Sequence, residues 1–148
     1  MNKVVLLLLF AMLFSCSINQ RDTNKQRHGY WQETKPTFDG YVTTKGRYKH
    51  GEQVGKWKYS FGDTLYQRDK IRKKMIITHY FYPDKTIMAR GQSRLDITKD
   101  GKRHWYKFGP WYEYDKNGNL LWIKYYKDGN LYQYQENGIM KYDVKKFF

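Results

Sequence analysis

Cysteine is almost absent from this chain, with a single Cys16, so no disulfide can form within it. Acids are few, 14 Asp and Glu against 28 Lys and Arg, and paired carboxylates for acid–base chemistry are hard to assemble. Beyond position 16, serine occurs only as Ser17, Ser60 and Ser93, and no Gly-x-Ser-x-Gly is present. No glycine-rich phosphate loop appears either. The four histidines, His28, His50, His79 and His104, stand far apart, without a zinc-ligand spacing. His28 and His50 each precede a glycine and read as turn residues. Asp115-Lys116-Asn117-Gly118-Asn119 lacks the glycine spacing and terminal glutamate of a calcium loop. The sequence therefore offers no catalytic residue, no metal ligand set and no cofactor motif, and it reads as a non-enzyme.

Aliphatic residues are also scarce once the N-terminus is set aside. Mean hydropathy is −0.94, yet aromatics make up 19% of the chain and Tyr alone numbers 15. That balance argues against a thick two-layer core. A thin sheet fits it, covered by Tyr, Trp and long Lys or Arg stems that bury an apolar body and keep a polar tip wet.

The one long apolar run is Val4 through Phe14, preceded by Asn2-Lys3. It falls short of the about 20 residues that a spanning helix needs and suits a signal segment. It ends in Leu13-Phe14-Ser15-Cys16. That ending resembles the bacterial lipoprotein signal, with Leu13, Ser15 and Cys16 in the matching places and Phe14 where a small residue is commoner. The resemblance implies cleavage after Ser15 and lipidation of Cys16, hence export and attachment to a membrane. Ser17, rather than Asp, points to the outer membrane, and no acidic cluster follows Cys16, which favours the periplasmic side. Residues 1–15 are thus expected to be a signal helix, 16–27 a lipidated and flexible tether, and 28–148 the folded domain.

Turn signals punctuate the folded part. Asn117-Gly118, Asp128-Gly129 and Asn137-Gly138 separate short runs rich in Trp, Tyr and Leu. Such dipeptides suit type I′ hairpins, which need positive φ at both central residues. His50-Gly51 reads as a further turn, between a strand carrying Tyr48 and one carrying Trp57 and Tyr59 at period two. Gly29-Tyr30-Trp31, Gly55-Lys56-Trp57 and Gly109-Pro110-Trp111 share Gly-x-Trp, their glycines 26 and then 54 positions apart. That is close to one period and then two.

This recurrence resembles the MORN repeat in its bacterial variant form. One matching copy is Gly109, Trp111, Tyr112, Tyr114, Asn117, Gly118 and Leu120, continued by Tyr125, Tyr126, Asp128, Gly129 and Leu131. Another is Gly46, Tyr48, Gly51, Gly55, Trp57 and Tyr59. Between Gly62 and Arg103 the pattern cannot be traced. The resemblance implies an all-β, elongated single-layer antiparallel sheet of consecutive β-hairpins. Its expected core is Trp31, Tyr48, Trp57, Tyr59, Trp111, Tyr114, Leu120, Trp122, Tyr126 and Leu131. Gly51, Gly55, Gly109, Gly118, Gly129 and Gly138 are expected at turns.

The formal charge of +14 is the functional clue. Lys56, Lys58, Lys107, Lys124 and Lys127 interleave with aromatics and are candidate anion-binding residues. In a cytoplasmic protein this would suggest nucleic acid; an exported lipoprotein points instead to phospholipid headgroups, envelope polymers or an acidic protein. The expected function is a membrane-anchored binding or scaffold protein. Two alternatives stand beside it. The resemblance to antitoxin-like MORN proteins implies immunity against an acidic toxin, and eukaryotic MORN proteins suggest anionic lipid binding.

Overall fold

A computed structural model describes residues 18–143, with side chains through residue 139. The signal segment, the lipidation candidate Cys16 and the last residues, 144–148, lie outside the described residues. The chain forms one open, all-antiparallel sheet, and each strand pairs only with its neighbours in sequence. The strands are β1 (Gln20–Arg21), β2 (Arg27–Thr37), β3 (Gly40–Lys49), β4 (Glu52–Phe61), β5 (Thr64–Arg72), β6 (Met75–Phe81), β7 (Ile87–Ile97), β8 (Arg103–Tyr114), β9 (Leu120–Lys127), β10 (Asn130–Glu136) and β11 (Ile139–Asp143).

The turns explain the hairpins. His50-Gly51, Asp128-Gly129 and Asn137-Gly138 each place two successive residues at positive φ, as type I′ turns require. Asn117-Gly118 departs from that expectation: only Gly118 has positive φ. Gly118 N–H donates to Asp115 O and Asp115 N–H to Asn119 O, a longer loop that ends in one left-handed residue. The same pair of bonds recurs at Asp22–Gln26, Tyr82–Thr86 and Thr98–Lys102. Two-residue and longer hairpins therefore mix along the chain.

Gly55 and Gly109 are corrected as well. They lie inside β4 and β8, not at turns. With Gly29 they take φ of +70°, +66° and +74°. The three Gly-x-Trp motifs thus share one backbone kink that L side chains rarely adopt.

Alternation sorts the side chains into two faces. One face carries Trp57, Asp69, Ile71, Thr78, Ala89, Leu95 and Trp111, all buried. This inner face has no second layer over it, so rings do the covering. Trp57, 2% exposed, packs edge-on against Tyr48 at 5.0 Å. It lies directly over Gly46 of β3, where a Cβ would come within 2.2 Å of the indole. Trp111, 4% exposed, repeats the arrangement over Gly91 of β7, again at 2.2 Å. Its Nε1 donates to Gln92 O at 2.9 Å, whereas Trp57 Nε1 is buried without a partner.

The cross-strand row from Trp57 runs through Asp69, Thr78 and Gly91. The untraceable middle of the chain therefore continues the same sheet, with small or polar residues between two indoles. The sheet also coils. Glu52 of β4 bonds Arg103 of β8, and one hollow is lined jointly by Tyr48, Ile71, Leu95 and Trp105.

Further expectations are corrected here. Residues 18–26, read as tether, are ordered: β1 pairs with β2, and Asn19 exchanges side-chain bonds with the Gln32 backbone. Leu120, expected in the core, is 41% exposed because it sits at the mouth of a loop. Trp31, Tyr48, Tyr59, Tyr114, Trp122, Tyr126 and Leu131 are half-buried, whereas Trp57 and Trp111 are buried.

Candidate functional site

The outer face is where the charge gathers. Pairing places Lys45, Lys58, Arg68, His79, Arg90 and Tyr112 in one cross-strand row on β3 to β8. A second row holds Lys56, Lys70, Ile77, Gln92 and Phe108. This face also carries Arg72 of β5 and Arg94 of β7, which both pair with Met75. Its centre is an apolar stripe along β6, Met75, Ile77, His79 and Phe81, flanked by cations on β5 and β7. The alternation that buries Asp69, Thr78 and Ala89 turns these residues outward.

Arginine planes lie on rings across this surface. Arg68 sits 5.1 Å from the Phe81 ring, Arg90 5.1 Å from Tyr112 and Arg94 4.1 Å from Phe108. The rings hold the guanidinium groups in place and leave their edges free for anions. No carboxylate is ion-paired with Lys45, Lys56, Lys58, Arg68, Lys70, Arg72, Arg90 or Arg94 among the described residues.

Two shallow grooves meet at His79. One, of about 570 Å³, is walled by Lys56, Lys58, Arg68, Lys70, His79, Phe81 and Ile87, with Trp57 and Asp69 at its edge. The other, of about 330 Å³, is walled by Ile77, His79, Arg90, Gln92, Pro110 and Tyr112. Burial, followed by the charges of Arg90 and Arg68, holds the His79 pKa below its ordinary value. Chemically, this surface presents fixed donors to phosphate, sulfate or carboxylate oxygens, with apolar ground between them.

The five lysines read from sequence divide. Lys56 and Lys58 belong to this face and Lys127 is exposed at the end of β9. Lys107 and Lys124 are on the inner face. Lys124 bonds both oxygens of Glu113 at 2.7 Å, and Lys107 caps the Trp111 and Tyr126 rings at 4.5 and 4.9 Å. Both are committed to the fold. Arg90 and Arg94 were missed because nothing local to them is repetitive; only the pairing of β6 with both β5 and β7 brings Arg90 opposite Arg68 and Arg94 opposite Arg72.

A second cluster is equally invisible in sequence. The loop Asp22–Gln26 folds against the His50-Gly51 turn, bringing Asp22, His28 and His50 together with candidate ligand atoms within 4.8 Å of one another. Asp22 Oδ1 accepts from Asn24 N–H and Gln26 N–H. Its Oδ2 is 2.9 Å from His50 Nδ1. That hydrogen bond, ahead of the backbone donors, lowers the Asp22 pKa.

No protein-family model matches this chain, and no curated protein does either. Among solved structures, a chain from the crystal structure of a GtfA/B complex is similar at 11% identity with a TM-score of 0.29. The match covers 75% of this chain and 20% of that one. This chain thus spans about a fifth of that neighbour's length, and a likeness this slight carries no argument about fold or activity.

Proposed function

We propose that this protein is a non-enzymatic, lipid-anchored protein of the cell envelope, a MORN-like hairpin array whose outer face binds an anionic surface or polymer. The carrying observation is the run of cations from Lys45 across to Arg90, with no ion-paired carboxylate among the described residues, beside the half-buried rings of Phe81, Phe108 and Tyr112 on one side of one sheet. A solubilising role would be served by cations scattered among acids on both faces; here the inner-face Lys124 and Lys107 are taken up by Glu113 and by the Trp111 and Tyr126 rings, whereas the outer row has no ion-paired carboxylate among the described residues. The Leu13-to-Cys16 segment supports the anchor. An acyl anchor and a polybasic face are two membrane signals that reinforce each other.

The test uses Cys16→Ala protein, so that the anchor cannot mask the face. This variant is expected to leave the membrane fraction, and to sediment with phosphatidylglycerol vesicles at low salt and be released as salt rises. Reversing the central row (Lys58→Glu, Arg68→Glu, Arg90→Glu) is expected to abolish sedimentation while Tm shifts little. A folded triple variant that still sediments as its parent does would refute the surface. Retention on a sulfated polysaccharide column, with no vesicle binding, would keep the face and identify a polymer as its partner.

A further inference from the structure

We propose that Asp22, His28 and His50 form a binding site for a divalent transition metal ion of the zinc class, which fastens the N-terminal hairpin to the β3–β4 turn. Two imidazoles and one carboxylate are a ligand set that such ions accept, with water completing the tetrahedron. The three residues come from the loop before β2, from β2 itself and from the turn after β3, so the fold, not local sequence, assembles them.

The geometry is close to what an ion needs. Asp22 Oδ2 and His50 Nδ1 are 2.9 Å apart, near the about 3.3 Å edge of a tetrahedron with ligands at 2.0–2.1 Å from zinc. The His28 and His50 rings lie side by side, with centroids 5.1 Å apart. The Asp22 side chain is only 11% exposed, and two backbone N–H groups hold its other oxygen. A ligating carboxylate oriented by such outer bonds is the usual arrangement. His50 is the most exposed member, its side chain 60% exposed, which leaves the ion's open side to water.

A second, independent observation points the same way. His28 Nδ1 is buried and makes no hydrogen bond. Buried polar atoms are nearly always paired, and one that is not asks for a water, an ion or a role. The His28 carbonyl, by contrast, is committed, accepting from Trp31 Nε1 at 3.1 Å. The backbone at this position is locked while the imidazole retains an uncommitted nitrogen.

The cluster sits at the N-terminal end of the sheet, with Gly51 N–H donating to Arg27 O beside it. An ion here binds the folded state only, since the unfolded chain holds Asp22 and His50 28 residues apart. It therefore stabilises by mass action. The site stands apart from the outer-face cations and does not depend on them.

The experiment is a calorimetric titration of zinc chloride into the purified full chain after chelator treatment, paired with thermal unfolding. The expected result is one zinc ion per chain and a Tm that rises with zinc and falls back with EDTA. His28→Ala, Asp22→Asn and His50→Asn are each expected to weaken affinity tenfold or more. His50→Asn is the fold-safe variant, because His50 has φ +48° and Asn tolerates that backbone. His79→Ala and His104→Ala are expected to bind as the parent does. No zinc-dependent shift in the parent, or full affinity in a folded His50→Asn chain, would show that the three residues are merely a hydrogen-bonded Asp–His pair beside a second ring. Loss in His79→Ala or His104→Ala instead would move the ion elsewhere and equally overturn the site.

Discussion

Two glycines and two tryptophans decide the inner face. Gly46 and Gly91 have ordinary backbone angles, so their requirement is space, not conformation. A methyl group at either would enter the indole of Trp57 or Trp111. Gly91→Ala is therefore expected to cost about 1–3 kcal/mol through forced repacking. Removing the ring removes the clash: Trp111→Ala alone is expected to cost about 3–5 kcal/mol, and adding Gly91→Ala to it is expected to cost little more. Denaturant unfolding of the two single variants and the double variant gives the coupling directly. Strict additivity would show that the indole does not occupy the space over Gly91.

At the scale of hairpins, loop aspartates act as caps. The His50 side chain lowers the Asp22 pKa, the Thr86 hydroxyl that of Asp84, the Lys102 side chain that of Asp100 and the Asn119 side chain that of Asp115. A carboxyl depressed in the folded state stabilises fully above its unfolded value, here 3.8. That contribution is lost as pH falls through the lower native values. Tm is expected to fall slightly between pH 7 and about 5, because the depressed His79 imidazole takes up a proton less readily folded than unfolded, and to drop further below about 4. Replacing Asp115 and Asp84 by Asn is expected to flatten the acid limb of a pH series. An unchanged limb would place the acid sensitivity outside these loops.

Hairpin turns were the legible part of the chain, because Asp128-Gly129 and Asn137-Gly138 state their backbone angles in their residue types. The middle was illegible for a physical reason. Asp69, Thr78 and Gly91 occupy the row between Trp57 and Trp111, so the middle strands carry small or polar residues where the flanking hairpins carry an indole. The partner glycines were hidden by hairpin length, since Gly46 precedes Trp57 by 11 residues and Gly91 precedes Trp111 by 20. The outer face was half legible. Lys56 and Lys58 announce themselves beside Trp57, but Arg90 joins them only through strand pairing, and Lys124 looked the same in sequence while bonded to Glu113.

For the whole molecule, sequential pairing makes stability local. Each strand bonds only its neighbours, so a break propagates along the sheet one hairpin at a time, as in a repeat array. Ties between strands that are not sheet neighbours include, in the middle, the Glu52–Arg103 pair, the hollow shared by Ile71, Leu95 and Trp105 and the Tyr82 hydroxyl donating to Tyr114 O at 2.9 Å, and, at the N-terminal end, the Asp22–His50 bond. Amide protection is therefore expected to peak in β4 through β8 and to decline toward β10 and β11, where no buried aliphatic residue lies among the described residues. Hydrogen exchange read by mass spectrometry resolves this gradient hairpin by hairpin. One uniform opening from Gln20 to Glu136 would mean that the sheet unfolds as a single unit. The N-terminal end carries a further contrast. Zinc in the Asp22–His28–His50 cluster is expected to raise protection in β1 to β3 alone, since the ion touches no later strand, and to leave β9 to β11 exchanging as before.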